Sequence, residues 1–371
     1  MIPYNYPTIA FPNRAIFISD QVSALREDGH FVEVISALPK TMSDVLRTSR
    51  DENSNKKFEN GIIAYPAIRG FHSFNRTIQF YILRHKLIGK LEKDKANNQL
   101  PDVVHVHNST SAKIAIWIKK EFGIPFVITE HSSSMWNYDA KSDPLKLNDA
   151  ISLSKANMAV SKDFAAHLSK MFECQFHYVP NAVDTAFFSR AGKVSSCSKD
   201  GVLKLISVGN LTKNKNHQLA IRAVKLLVEK GVSVQYTIIG AGAELSFLKK
   251  LAAKLNLTTK VVFKGQLDRG AVKECLIESD RFLFPSLRET FGVVLIEAMA
   301  CGLPVIALNN GGSDSIITNP NVGIISVNEA QFCKDIEYFI LKDYDSDVIV
   351  NFTHKLFSYS SVVDRLISLY R

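Results

Sequence analysis

Short apolar runs alternate with stretches of helical period along almost the whole chain. In the first half this pattern predicts helix over 15–29, strand over 31–36 and a polar loop over 44–60. Strand follows over 61–66, then a long amphipathic helix around 75–97. Strands over 102–106, 125–129, 157–160 and 176–179 alternate with helices over 112–122, 144–155 and 162–172, and a loop spans 130–143. Pro180-Asn181-Ala182-Val183-Asp184 breaks the rhythm, and 189–200 is polar, which marks a domain boundary. The pattern then restarts: strands over 202–208, 233–239, 260–264, 281–285, 303–308 and 323–327, and helices over 217–230, 243–256, 271–279 and 291–300. The remainder is helical. Regular alternation with nearly all-apolar strands predicts an α/β fold of two Rossmann-like, doubly wound domains facing a cleft. We divide the chain into 1–182, 183–352 and a terminal helix, 353–371.

Composition narrows this only in part. The 371 residues leave room for two cores, and 46% apolar with 22% charged residues is ordinary for a globular protein. Five scattered cysteines without C-x-x-C spacing predict a reducing, cytoplasmic setting with neither disulfides nor zinc. No signal peptide opens the chain, and no apolar run reaches the ~18 residues of a membrane span. The net charge of +9 suits nucleic acid, an anionic membrane or a phosphorylated ligand. Nucleic acid is the weakest of these, because no binding motif is present and aromatic residues do not interleave with basic ones. Arg84, His85, Lys86, Lys90, Lys93 and Lys95 crowd helix 75–97 opposite Phe80, Tyr81, Leu83, Leu87, Ile88 and Leu91. That face fits peripheral contact with the anionic inner face of a membrane as well as it fits a solvated helix.

The candidate chemistry centres on 281–310. The helix over 291–300, with Thr290 as its cap and Gly302 as its stop, is apolar except for Glu297. A buried carboxylate needs a partner, either an internal cation or a ligand such as a vicinal diol. Glu289 lies eight residues earlier, beside the free N–H groups of Phe291, Gly292 and Val293, donors suited to phosphate. Gly209-Asn210-Leu211-Thr212-Lys213-Asn214-Lys215-Asn216, a glycine at a strand end and then a basic loop, suits phosphate too. His131 ends a strand beside Glu130, which could instead cap or pair locally. His105 and His107 share one strand face, a pair without an evident third metal ligand. Trp136 and Tyr138 could stack on a sugar or pack in the domain wall.

Glu289-Thr290-Phe291-Gly292 followed by Glu297-Ala298-Met299-Ala300-Cys301-Gly302-Leu303-Pro304-Val305 resembles the E-x7-E signature of retaining family 4 glycosyltransferases of the GT-B fold. The loop 209–216 is similar to that family's G-R-L-x-x-x-K-[GN], with Lys215 in the lysine place and Asn210 where arginine is usual. The resemblance implies a nucleotide-diphosphate sugar donor of UDP or GDP type and no cofactor or metal. It implies that Glu297 holds the ribose, Lys215 meets the diphosphate, and Glu289 and His131 orient the sugar. Gly311-Gly312-Ser313-Asp314 matches a loop whose amides contact the donor. Ala15 stands where the family has glycine, and it fits there if its φ is negative. Residues 1–8 look like the end of the family's first strand, so either the start is truncated or the sheet lacks its central strand. The terminal helix is expected to cross back to the first domain. The acceptor implied is a glycan or lipid-linked precursor of a surface polysaccharide, such as capsule or lipopolysaccharide. A nucleotide-sugar epimerase, a phosphorylase and an inactive sugar-nucleotide-binding subunit are the alternatives, the last favoured by Ala15, Asn210 and the short start.

Overall fold

The computed structural model describes residues 1–3, 6–7, 15–40, 62–66, 72–143, 147–189 and 201–371. The expected loop over 44–60 and most of the polar boundary stretch lie outside these. The chain forms two compact units: one of Met1–Val160, Phe164–Val179 and Val363–Arg371, the other of Ser161–Asp163 and Pro180–Val362.

The first unit runs β1 (Ile2–Pro3), α1 (Ile16–Glu27), β2 (Ser36–Lys40), β3 (Ile62–Pro66), α2 (His72–Ala96), β4 (Val104–His107), α3 (Ala112–Phe122), β5 (Phe126–Glu130), α4 (Asn148–Leu153), β6 (Ala156–Ala159), α5 (Lys162–Phe172) and β7 (Phe176–Tyr178). Its strands form a parallel sheet in the order β1-β4-β5-β6-β7 and a parallel pair, β2-β3. The Ile35 N–H donates to the Met1 carbonyl at 2.9 Å, and Ser36 Oγ donates to the Pro3 carbonyl at 2.7 Å. These bonds set β1 between β4 and the start of β2. The first strand is two residues long and stands at the end of the five-stranded sheet, beside β4.

Two expected elements shift. The strand placed over 31–36 forms instead at Ser36–Lys40, where the ladder with β3 pairs Ser36 with Ile62 and Lys40 with Pro66. Phe31 is 91% exposed, so its apolar side chain misled the pattern. Of the helix placed over 144–155, only Asn148–Leu153 is helical, and 144–146 lie outside the described residues. Lys155 has already left it, its N–H bonded to the Phe126 carbonyl at 2.7 Å.

Helix α2 spends its apolar stripe on this unit's own core. Leu83, Leu87 and Leu91, four residues apart on one face, are buried. Lys90 pairs with Glu33 at 3.0 Å and Asp94 at 2.7 Å. Tyr81 is exposed, and Phe80, Ile82 and Ile88 are half-buried. Among the described residues no helix is long and apolar enough to cross a membrane.

The second unit runs β8 (Leu203–Val208), α6 (His217–Glu229), β9 (Val234–Ile239), α7 (Leu245–Lys254), β10 (Val261–Gly265), α8 (Arg269–Ile277), β11 (Arg281–Phe284), α9 (Val293–Ala300), β12 (Val305–Leu308), β13 (Gly323–Ser326), α10 (Glu329–Leu341) and α11 (Ser346–Phe357). The last helix, α12 (Tyr359–Tyr370), ends among residues that cluster with the first unit. The sheet order β10-β9-β8-β11-β12-β13 is parallel throughout. Connections run outward in opposite directions from β8 and β11. Ligands of such sheets bind at the carboxyl ends of the strands that flank this reversal.

Helix α9 is buried from Leu295 to Ala300. Its start differs from the expectation. Gly292, at φ +113°, is the N-cap, and no side chain caps the helix. Thr290 and Phe291 lie before it, and Val293 is its first residue.

Candidate functional site

In the second unit, the loops after β8 and β11 meet. Gly209 and Leu211 are seated by the end of β9 and the segment that follows it, their N–H groups bonded to the carbonyls of Ile239 and Ala241, each at 2.9 Å. A Cβ on Gly240 would stand 1.9 Å from the Gly209 carbonyl oxygen, and one on Gly242 2.3 Å from that of Leu211. Only glycine permits this approach. A 3-10 turn over Lys213–Lys215 and the left-handed Asn216 (φ +49°) then lead into α6.

The turn lays the Lys215 stem over Gly209, where a Cβ would touch Lys215 Cδ at 3.6 Å. Lys215 Nζ donates to Glu289 Oε1 at 2.6 Å and lies 5.6 Å from the centre of the Phe284 ring. The two loops are also stitched together, Leu287 N–H to the Asn214 carbonyl at 2.8 Å and Asn214 Nδ2 to the Arg288 carbonyl at 2.9 Å. An ammonium has three donors, so Lys215 can hold Glu289 and still meet an anion. Asn210 and Lys213 are exposed, and neither is drawn into this pair.

Asn310 fixes the third loop. Its Oδ1 accepts from the N–H groups of Gly312 (3.1 Å) and Ser313 (3.0 Å), and its carbonyl accepts the Glu289 N–H at 2.9 Å. Gly312 packs on the Phe291 backbone, since a Cβ there would lie 2.5 Å from the Phe291 carbonyl oxygen. Thus Gly311 and Gly312 run beside Phe291 and Gly292, whose contribution is backbone while the Phe291 ring is buried.

Glu297, 7% exposed, has a protein partner: Arg269 Nε lies 3.9 Å from its Oε1. The Arg269 guanidinium also covers the rings of Phe187 and Phe188, at 5.4 and 5.0 Å. That separation is at the outer limit of an ion pair, so the internal-cation and ligand readings both stand. His217, the first residue of α6, is buried, and burial followed by the Lys215 charge lowers its pKa to about 4. It stays neutral beside the phosphate-type loop.

In the first unit, Glu130 is a structural tie. Its Oε2 accepts from Ser109 N–H (2.9 Å) and Oγ–H (2.6 Å), and its Oε1 from the N–H groups of His131 (2.9 Å) and Ser132 (2.8 Å). His131 leans on Phe17, with ring centres 4.7 Å apart, and its Nε2 is 3.0 Å from His107 Nδ1. Burial lowers the His131 pKa to about 3, so the ring is neutral. His105 is bound by Tyr370 Oη (2.6 Å), Gln21 Nε2 (3.3 Å) and Thr129 Oγ1 (2.7 Å), a structural role. Among the described residues no group of three or more His, Cys, Asp or Glu is placed to hold a metal ion. Trp136 packs on Phe164 and His167, and Tyr138 donates to Asp143 at 2.5 Å; both rings are half-exposed. A cavity of about 910 Å³ in this unit, lined by Leu25, Leu87, Val104 and Ile118 among others, includes neither Ala15 nor His131.

Ala15 lacks the negative φ on which its fit in the glycine's place depends. It sits at φ +50°, ψ +40°, directly before α1. A Cβ in this left-handed region costs about 1 kcal/mol. Ala15→Gly removes that strain but frees the unfolded chain by about 0.4–1 kcal/mol, so stability is expected to rise by no more than about 0.5 kcal/mol. A urea midpoint that falls in this variant would refute the strain.

Two family models match, Glycosyltransferase Family 4 over residues 15–187 and Glycosyl transferases group 1 over 193–352, together most of the chain. The chain belongs to the family 4 glycosyltransferases. This glycosyltransferase is 25% identical to a glycogen synthase of Mycobacterium tuberculosis over 344 residues, covering 87% of this chain and 81% of the relative. Its fold is that of GT-B glycosyltransferases. Sucrose-phosphate synthase from Thermosynechococcus elongatus superimposes with TM-score 0.72 at 18% identity, over 96% of this chain and 92% of the other. The Anabaena protein Alr3699/HepE, solved with UDP, gives TM-score 0.72 at 14% identity over 99% and 97%.

Several residues that shape the glycosyltransferase's loops escaped the sequence reading. Gly240 and Gly242 follow a strand in Gly240-Ala241-Gly242, a signal that was there to be used. Asn310 stands before the noted glycine pair. Arg269 and His217 carry no local signal, because their partners lie far away in sequence.

Proposed function

We propose that this glycosyltransferase is a retaining, metal-independent enzyme that moves a sugar from a UDP- or GDP-type donor to a glycan or lipid-linked acceptor of a surface polysaccharide. The observation that carries the donor assignment is the Lys215–Glu289 pair, held over Gly209 at the strand ends beside the sheet reversal. In this reading the diphosphate takes the remaining donors of Lys215 and the amides around Gly292 and Gly311. Lys215 then faces charge that grows as the bond from the anomeric carbon to the diphosphate breaks, which lowers the barrier. Glu289, tied to Lys215, orients the sugar, and Glu297 accepts the ribose hydroxyls. His131, on the first unit, is given a sugar-orienting role by the family resemblance.

Because Lys215 supplies a fixed cation, transfer or slow donor hydrolysis should persist in EDTA, with the donor's anomeric configuration kept in the product. Activity lost on chelation and restored by Mg²⁺ would overturn the phosphate-site assignment, and an inverted product would overturn retention. The strained Ala15 and the exposed Asn210 favour a second reading, an inactive nucleotide-binding subunit. Nucleotide binding without turnover of any UDP- or GDP-sugar would select it.

A further inference from the structure

Arg269 is a cation in a place that does nothing for its own helix. It is the first residue of α8, where the helix dipole already carries positive character, so a guanidinium there is mildly unfavourable. The cap is Asp268, whose Oδ1 accepts the Ala271 N–H at 2.9 Å. The Arg269 side chain, mostly buried, reaches instead to groups far away in sequence: Glu297, 3.9 Å from its Nε, and the rings of Phe187 and Phe188. Those rings are fixed. Phe188 is fully buried, and Asp184 accepts the Phe187 N–H on Oδ1 at 2.8 Å and the Phe188 N–H on its carbonyl at 2.9 Å. Lys273, one turn along α8, lies over Phe187 as well, its Nζ 5.2 Å from the ring centre. A guanidinium held over aromatic rings keeps its charge beside a carboxylate while the rings limit where it can move.

The separation from Glu297 is the informative quantity. At 3.9 Å the two charges attract strongly in a buried setting, yet the distance exceeds the roughly 2.7–2.9 Å of a charged hydrogen bond. Arg269 Nε therefore offsets the Glu297 charge without donating to Oε1. The neighbouring pair behaves differently, since Lys215 closes on Glu289 to 2.6 Å. Glu297 stands in the buried part of α9, where an uncompensated carboxylate would be costly. A carboxylate oxygen accepts more than one hydrogen bond, so a ribose hydroxyl can donate to Oε1 with Arg269 still in place.

We propose that Arg269 is a positioning residue: held by Phe187 and Phe188, it offsets and orients the Glu297 carboxylate so that Glu297 receives the two ribose hydroxyls of the donor nucleotide. Arg269 acts through Glu297 and touches no part of the nucleotide. It thereby sets the preference for a ribonucleotide over one that lacks these hydroxyls. The proposal rests on the transferase reading above, in which Glu297 accepts the ribose.

Calorimetric titration of the full chain with UDP, GDP and their 2′,3′-dideoxy forms tests this in wild type, Arg269→Gln, Glu297→Gln and the double variant. Wild type should prefer one ribonucleotide over its dideoxy form by about ten- to a hundredfold. Arg269→Gln should lower affinity for that ribonucleotide about tenfold and leave the dideoxy affinity unchanged. In the Glu297→Gln background the same substitution should cost nothing further, because the two residues act as one unit. Arg269→Lys, which keeps the charge and loses the planar fork, should restore part of the preference. Phe187→Leu removes one ring and leaves both charges, and it should lower the preference severalfold even where Arg269→Gln fails to fold. Equal losses for the ribo and dideoxy forms, or a full further loss in the double variant, would overturn the positioning role. A ribose preference that survives in both the Arg269 and the Phe187 variants would defeat the proposal alone. A wild type that binds neither UDP nor GDP would defeat the donor reading and the proposal with it.

Discussion

Lys215→Ala is expected to lower sugar transfer by about ten- to a hundredfold, the worth of a charged hydrogen bond of roughly 1.5–3 kcal/mol. The loss should fall on turnover more than on nucleoside binding. A cation that faces charge created by bond breaking acts in the transition state, whereas the base and ribose are bound alike before and after. The variant also leaves Glu289 without its 2.6 Å partner, so the orientation of the sugar should suffer with the charge. Gly209 and the loop after β9 do not depend on the Lys215 side chain, and the fold should survive. Steady-state kinetics would check this. A variant with wild-type turnover and weakened nucleoside binding would place Lys215 at the wrong end of the donor.

Acid should destabilise the protein well above the carboxylate range. The folded pKa of His217 is about 4 and that of His131 about 3, with His105 and His107 also held well below the usual range by burial. Their unfolded value is about 6.5. Between the two, the unfolded chain binds protons that the folded chain refuses, so stability falls as pH drops through 6.5 and levels out only below the folded pKa. At pH 5.5 each such histidine should have cost about 1.4 kcal/mol, while most carboxylates are still ionised. Over its whole window His217 alone should account for roughly 3 kcal/mol. Urea midpoints at pH 7.5 and 5.5 would show the drop. Equal midpoints would mean that these rings take up protons in the folded state.

Helices α3 and α5 were legible to the residue, because apolar period and polar ends coincide there. Strand β2 was not: Phe31 is apolar yet exposed, and the register with β3 is set by a partner that a local pattern cannot see. The site shows the same division. Lys215 and Glu289 stood out as charges next to glycines at strand ends, and the fold brings them together. Thr290 looked like a helix cap, but Gly292 takes that place because its φ of +113° lets the chain turn into α9. The φ of Ala15 is +50°, so the condition under which an alanine fits the glycine's place is not met, and a single residue type could not show that. Glu130, read as either a ligand or a local tie, is a tie, since four donors from the 109 and 131–132 segments fill both its oxygens. Arg269 beside Glu297 was invisible, because nothing near either residue in sequence points to the other.

The most direct test of the donor site is a calorimetric titration of wild type and Glu297→Gln with UDP, GDP, uridine and guanosine. If Glu297 grips the ribose, wild type binds one nucleoside diphosphate and, more weakly, its nucleoside. Glu297→Gln then loses about ten- to a hundredfold in affinity for both. Binding of no nucleotide by the wild type, or equal affinities in the two proteins, would contradict the account and leave Glu297 as the internal partner of Arg269.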